Sequence, residues 1–513
     1  MSTSKILSHG SIYLCGNILR RVVSFVMLPI YTRYLTPADY GTIELLSMVI
    51  DFVAILFGLR IGEAVFRFYY QYDDAKDRGE VIFTSIALVG LLNAVGVLIL
   101  LVASGPIARI VLGSADLARL LGLFSFTLIF QSVTETTFTF IRAQQRPWLF
   151  VGFSTMKLVV QLSLNIYFVV GLRMAAEGVI LSSLVSSLAI TIPMLWYTLS
   201  KTGISFSLEK ARSMTSFSLP LVLNSLISFY ITFGDRYFLR VLGGGLDEVG
   251  VYALGYRFGF LLSFLVGDPF FSIWNSEKYI TAKRPDARER FRNVFLLLSA
   301  AMVLVMVGIS IFVQDVLRIM ADSDFWGASL IVPLVLLAYA FNNWLGFTNL
   351  GLLLHGKTGD IATGTAISAG VITVGYILLI PLLGGVGAAL ATAIAYGTRM
   401  VWTERRAERL YPMAVPWPRA IAMLGLGALA WAISLLVPGP IWLSIAVKTL
   451  IILAFTAALV TLPGLLPADV RRALLAAVHD RGAALTRLGR GSPRTLEEKA
   501  GGPVGAASAS PTE

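Results

Sequence analysis

Asp39-Tyr-Gly41-Thr-Ile-Glu-Leu45 returns 209 residues later as Glu248-Val-Gly250-Val-Tyr-Ala-Leu254, each copy opening a long apolar stretch. At the same shift Gly178 falls on Gly387, and Arg146 falls on His355 in short loops of equal rank. Glycine fills 46 of 513 positions, so one coincidence means little; the shared offset and the equal order of segments carry the argument. A repeat of this length relates two halves of a chain.

Those halves are built from bilayer-spanning runs. Hydrophobic residues make up 56% of the chain, charged residues only 14%, and mean hydropathy is +0.78. A soluble domain carries about 25% charged residues. Fourteen apolar windows, each near the length a hydrocarbon core demands, run at about 9–33, 41–67, 80–103, 117–141, 149–171, 177–200, 213–235, 248–275, 291–313, 328–354, 361–381, 385–402, 420–437 and 441–462. Between the eleventh and twelfth, Pro381-Leu-Leu-Gly-Gly385 is the only turn signal. Six windows separate the copies, so both halves enter the membrane the same way, related by an axis along its normal.

The sequence thus reads as an all-α integral membrane protein of about fourteen transmembrane helices. Two pseudo-symmetric six-helix lobes cover 1–205 and 206–402, two further helices lie within 403–462, and a basic tail covers 463–513. In that tail Val470, Leu474, Val478, Leu485 and Leu488 keep an apolar stripe among arginines, as in a helix lying on an anionic leaflet. Beyond Arg490, glycine, serine, alanine and proline point to disorder.

The net charge of +11 follows topology and does not point to nucleic acid. Twenty-seven Lys and Arg gather in the tail and in alternate loops, against seven (Arg33, Arg109, Arg119, Arg173, Arg236, Arg240 and Arg318) on the other side. The positive-inside rule then places both termini in the cytoplasm. Cys15 is the single cysteine, so no disulfide forms within one chain. Asn17, Arg20 and Arg21 interrupt the first apolar run, which reads as a retained span and not as a cleaved signal.

The charges inside the spans are the candidate functional residues. A cation at mid-bilayer costs about 2.5–3.5 kcal/mol on insertion scales, so it normally faces a wet cavity or a partner. Asn17, Arg20, Arg21 and Ser24 share a face of the first helix, Arg60 lies near the end of the second and Arg257 well inside the eighth. The planar arginine fork suits phosphate oxygens; the plainer reading is snorkelling, or pairing with Glu44 or Asp51. Glu44, Ser47 and Asp51 form a stripe at i, i+3 and i+7 that can neutralise those arginines, bind a coupling cation or relay a proton. Asn224, Ser228, Thr232 and Asp235 share a face of helix seven, and Arg257 and Asp268 one stripe of helix eight. Gly267-Asp268-Pro269 can break that helix, and Asp268-Pro269 reads equally as an inert kink. Asn342, Gly346 and Asn349 suit either sugar hydroxyls or interhelical contact.

No G-x-x-x-x-G-K-[ST] loop occurs, and His9, His355 and His479 lie far apart. No metal or cofactor is expected, though coupling to a proton or sodium gradient stays open. No outer loop between these windows exceeds about fifteen residues, so a large catalytic loop of the glycosyltransferase or ligase kind is missing.

Leu28-Pro-Ile-Tyr-Thr-Arg-Tyr-Leu-Thr-Pro-Ala-Asp-Tyr-Gly41 resembles the Wzx-type polysaccharide flippases, of the superfamily that also holds lipid II flippases and MATE drug exporters. Asp235-Arg-Tyr-Phe-Leu with Val249-Gly-Val-Tyr252, Phe140-Ile-Arg-Ala-Gln-Gln-Arg-Pro147 and Pro381-Leu-Leu-Gly-Gly-Val-Gly-Ala-Ala-Leu-Ala-Thr392 agree in order and spacing. The resemblance implies a cationic central cavity, matched in kind by Arg20, Arg21, Arg60 and Arg257, that opens alternately to each side of a bacterial cytoplasmic membrane. Its expected cargo is an undecaprenyl-diphosphate-linked oligosaccharide, with membrane lipids and assembly proteins such as a polysaccharide polymerase as partners. A drug or cation antiporter shares the fold but should prefer an acidic cavity. A scramblase or channel stays open, and the long basic tail departs from the family pattern.

Overall fold

Thr36-Pro37-Ala-Asp39 starts the first complete helix with a capping box: the Thr36 hydroxyl accepts from Asp39 N–H, and Asp39 Oδ2 accepts from Thr36 N–H at 3.0 Å. Pro37 sits where its missing N–H costs nothing. The computed structural model describes residues 27–437 and 439–472. Among these, twelve helices are long and apolar enough to cross a membrane: α1 Pro37–Gln71, α2 Ala75–Val102, α3 Ala115–Ala143, α4 Pro147–Gly171, α5 Ala175–Thr202, α6 Leu208–Leu242, α7 Leu246–Thr281, α8 Ala287–Met320, α9 Ser323–Leu354, α10 Thr358–Leu410, α11 Trp417–Leu435 and α12 Ile441–Thr461. No strand occurs among the described residues.

The 53-residue α10 is two passes. Gly384 leaves helical geometry at φ 55°, and beyond it the chain doubles back, Ser368 Oγ donating to the Ala395 carbonyl at 3.1 Å. The turn expected at Pro381–Gly385 is therefore present, and the helix count agrees roughly with fourteen. Most of the expected first span, 9–33, lies outside the described residues; its end is the short helix Leu28–Tyr34. The tail beyond 472 also lies outside them.

Three expectations need correction. The second span breaks where Leu59 and Arg60 adopt positive φ, 48° and 53°, a conformation that costs a β-carbon-bearing residue about 1–2 kcal/mol. Gly267-Asp268-Pro269 does not end helix eight: a π turn over Ser263–Gly267 absorbs the irregularity and the helix resumes at Asp268. Asn343 packs there, its amide reaching Ser263 Oγ at 3.4 Å. Arg236 and Arg240, assigned above to a loop, lie within α6.

At the end of the bundle holding Gly41, α1 and α7 cross backbone to backbone. A Cβ on Gly41 would overlap the Leu246 carbonyl, and one on Gly250 would overlap the Pro37 carbonyl. Small residues at such a crossing are what allow membrane helices to approach closely. Glu248, the repeat counterpart of Asp39, folds back on the turn before its own helix, accepting from Gly244 N–H at 2.5 Å and from Gly385 N–H of α10 at 2.6 Å. Thr32 Oγ1 donates to the Met320 carbonyl of α8 at 2.8 Å, tightening the same end.

The opposite end is tied by Lys210 of α6, which reaches Asp77 at 2.8 Å and Glu80 at 2.5 Å on α2. Between α7 and α8 there, Asp286 accepts from Arg290 and Arg284, which hold its carboxyl below the usual range. The last helix, α12, is joined to α8 by a fully buried ion pair: Lys448 Nζ lies 2.6 Å from Asp315 Oδ2, and Ser444 Oγ donates to Oδ1 at 3.0 Å.

Candidate functional site

Glu44 stands one turn beyond Tyr40 on α1, and Arg257 lies well within α7. The crossing at Gly41 and Gly250 holds the two helices close enough for Arg257 Nη2 to meet Glu44 Oε1 at 3.0 Å. The Arg257 guanidinium lies 5.0 Å from the centre of the Tyr40 ring, whose face is electron-rich. Its side chain keeps 36% of its surface accessible. This is a cation inside a membrane-spanning helix, neutralised by one carboxylate and still open to a ligand.

A second cation sits deeper in the wall. Arg236 is buried, 2.6 Å from Asp235, with its guanidinium 4.3 Å from the centre of the Tyr256 ring. Tyr252 donates its hydroxyl to Asp235 Oδ2 at 2.6 Å. Asp235, expected to be an ion-coupling or counter-charge group, is thus occupied by an arginine and a tyrosine, while Arg236 Nε has no partner among the described residues.

Asp51, two turns beyond Glu44, faces a cavity of about 370 Å³ between α1, α3 and α6. Arg60, Gln131, Ser132, Glu135, Phe229 and Phe233 also line it. Arg60 is half exposed at the break in α1 and pairs with Glu63 at 3.4 Å. Glu135 also lines a neighbouring cavity of about 290 Å³ with Tyr31, Ser154, Lys157, Gln161 and Asn165.

The structure therefore joins Arg257 to Glu44 and sets Asp51 and Arg60 on one cavity. Asn17, Arg20 and Arg21 lie outside the described residues. Asn224 is exposed on α6 without a partner among the described residues. Asp268 is exposed beyond the π turn, which adds a residue to the stripe expected to carry it with Arg257. Asn342 is exposed, whereas Asn349 is partly buried with Oδ1 unpartnered among the described residues. Sequence reasoning passed over Glu135, Lys157, Asp315 and Lys448, single charges in apolar runs, and it left Arg236 in a loop because the seventh window stopped at residue 235. An intramembrane charge count would have found the first four.

No curated protein matches the chain in sequence. Among solved structures it is similar to the lipid II flippase MurJ in an inward closed conformation, with a TM-score of 0.71 at 13% identity, covering 87% of this chain and 98% of that one. An inward-facing MATE multidrug resistance transporter of the MOP superfamily gives 0.60 at 15%, covering 77% and 96%. A Vibrio cholerae MATE transporter gives 0.52 at 16%, covering 80% and 98%. At these identities the likeness establishes the fold. The model of the polysaccharide biosynthesis protein family matches residues 30–327, more than half of the chain, and the chain belongs to that family.

Proposed function

We propose that this protein is a flippase that carries a lipid-linked oligosaccharide, in the expected form an undecaprenyl diphosphate, across a bacterial cytoplasmic membrane by alternating access. The observation that carries the reading is the Arg257–Glu44 pair, an accessible cation and its counter-charge inside two membrane-spanning helices, just beyond the glycine crossing of α1 and α7. A diphosphate is a strong bidentate acceptor for guanidinium, and before cargo arrives the acid neutralises the cation. Arg20, Arg21, Arg60, Asn17 and Asn224 join the reading as further substrate contacts. Glu44, Asp51, Asp235 and Asp268 supply counter-charge or ion coupling.

In this reading the lobes are 1–205 and 206–402, both termini are cytoplasmic and the Gly41 end faces outward. The cavity is open to the cytoplasm when that end is shut. The lipid tail stays in the bilayer while the polar head crosses, and no step is chemical. Membership in a polysaccharide biosynthesis family supports a glycan cargo, and the MurJ-like fold supports a flippase over a soluble or catalytic role. The experiment is reconstitution: purified protein in vesicles loaded with lipid-linked oligosaccharide from its own host, with outer-leaflet headgroups counted by an impermeant label. Movement in the wild type that Arg257→Ala abolishes supports the reading; movement that survives the change overturns it.

A further inference from the structure

We propose that the cavity between α1, α3 and α6 is a sugar subsite that takes a neutral or amine-bearing pyranose of the cargo, separate from the anion point at Arg257; this rests on the lipid-linked glycan reading above. Its wall combines two kinds of group. Phe229 and Phe233 lie with ring centres 5.1 Å apart, tilted by 32°, and Phe52 stands 6.0 Å from Phe229. The other wall presents Asp51, Gln131 and Glu135, whose side chains have no hydrogen-bond partner among the described residues. An unpartnered carboxylate in a membrane-spanning helix is costly, so groups of this kind await a ligand that donates hydrogen bonds.

A sugar ring meets both walls. Its hydroxyls donate to carboxylates and carboxamides, and its C–H face, faintly positive, lies against the electron-rich face of an aromatic ring. The volume, about 370 Å³, falls in the range of small-ligand pockets. A bound metal ion fits worse, because no three His, Cys, Asp or Glu among the described residues come together closely enough to hold one. The wall also sets specificity. Among the described residues of the wall, Asp51 and Glu135 are both acids and the one cation, Arg60, is engaged by Glu63, so a uronate is repelled while a neutral or amino sugar is accepted.

Position agrees with chemistry. Glu44 and Asp51 lie seven residues apart on one helix, a rise of about 10.5 Å, so a headgroup with its diphosphate at Arg257 extends its sugars toward Asp51. Glu135 faces both cavities, which makes it the residue at which a longer glycan passes from one to the other.

The test uses the full chain in lipid nanodiscs free of glycoside detergents, with free disaccharides as probes: neutral, N-acetylated, amine-bearing and glucuronate-containing. Saturation-transfer NMR reads which sugar protons lie against aromatic rings. We expect saturation of the C–H protons of neutral or amine-bearing probes and little for the glucuronate probe. Asp51→Asn and Glu135→Gln should each weaken binding about tenfold, as expected for one charge-assisted hydrogen bond. Phe229→Leu should abolish saturation of the C–H face, with thermal unfolding confirming a folded protein and Phe233→Leu as the second variant. Equal binding of the glucuronate probe, unchanged binding in the carboxylate variants, or no sugar signal in the wild type overturns the proposal. Pyrophosphate titrated separately reads the anion point, and its failure to bind would sink the diphosphate reading while leaving the sugar result standing.

Discussion

Gly41 and Gly250 stand in reciprocal contact: each lies against the carbonyl of the residue four places before the other, Leu246 for Gly41 and Pro37 for Gly250. The shift of 209 residues that aligns the two glycines also aligns Pro37 with Leu246, so the contact obeys the pseudo-twofold relation of the repeat itself. The glycine contact itself is backbone against backbone, so the only polar side chains that its parting would separate between α1 and α7 are those of the neighbouring Arg257–Glu44 pair among the described residues. In the proposed reading that pair exchanges its partner for cargo.

Filling this seam should hold it open. Gly41→Leu or Gly250→Leu places a branched side chain where a carbonyl now sits, at a strain of about 1–3 kcal/mol if the helices stay together. Folded yield should be near normal while vesicle transport falls by about five- to 150-fold, the range that this strain converts to. Full transport in both variants would remove the seam from the mechanism.

The pair beside the seam makes a sharper demand on chemistry. Arg257→Lys keeps the charge opposite Glu44 but loses the fork, so partial transport should remain, whereas Arg257→Ala should abolish it and leave Glu44 without its counter-charge. Arg257→Ala with Glu44→Gln should recover thermal stability but not transport. Recovery of transport in that double variant would make the pair structural only. The readouts are the unfolding midpoint and label-counted translocation.

A second ion pair behaves differently because nothing reaches it. Asp315 and Lys448 are both almost wholly buried between α8 and α12. Lys448→Met alone strands a carboxylate and should cost about 3–5 kcal/mol, whereas Asp315→Leu with Lys448→Met should be neutral or stabilising. Transport per folded molecule should be unchanged in the double variant, which thermal unfolding and translocation measure together.

The repeat, the spans and the turn near Gly384 were legible because a shared glycine offset and apolar runs of about twenty residues arise in few folds other than a duplicated helical membrane bundle. The Arg257–Glu44 pair was half legible: the sequence offered Glu44 or Asp51 as partners for an arginine, and only the crossing at Gly41 brings Arg257 to the first of them. The break at Leu59-Arg60 was hidden because neither residue is a glycine or a proline, the residues that mark such a conformation in sequence. Arg236 was missed for an opposite reason. The apolar window ended at its charge, but Asp235 and the Tyr256 ring neutralise that charge locally, and the helix runs on to Leu242. Helix boundaries drawn at charges fail wherever the charge is paired inside the bundle.

The proposed orientation can be tested before any transport assay. The segments 201–212 and 278–292 carry nine Lys and Arg, and the positive-inside rule puts them in the cytoplasm. Single cysteines there, in a chain whose Cys15 is changed to Ser, should be shielded from an impermeant thiol reagent in intact cells and labelled after lysis. A labelled segment in intact cells reverses the topology, and with it the assignment of the Gly41 end to the outside.

Motion is the remaining step, and the seam supplies its ruler. Tyr34 closes the short helix before α1, and Tyr237 lies near the end of α6, both at the Gly41 end and on opposite sides of the proposed lobe interface. Spin labels at these two positions, in the Cys15→Ser background, should report a short distance when the glycines meet and a longer one when the lobes part. Because the closed seam is held by backbone packing, by the Thr32 to Met320 hydrogen bond and by the accessible Arg257–Glu44 pair, in which cargo can replace the acid, the two states should differ by only a few kcal/mol, the usual gap for a protein that populates both. Two distances should therefore coexist in the resting protein. Gly41→Leu should remove the shorter, and Thr32→Val, which deletes one hydrogen bond worth about 1 kcal/mol, should shift the populations toward the longer by roughly fivefold. A single distance that none of these changes moves would mean that the Gly41 end is a fixed plug, and that the cargo passes by some route other than rocking of the two halves.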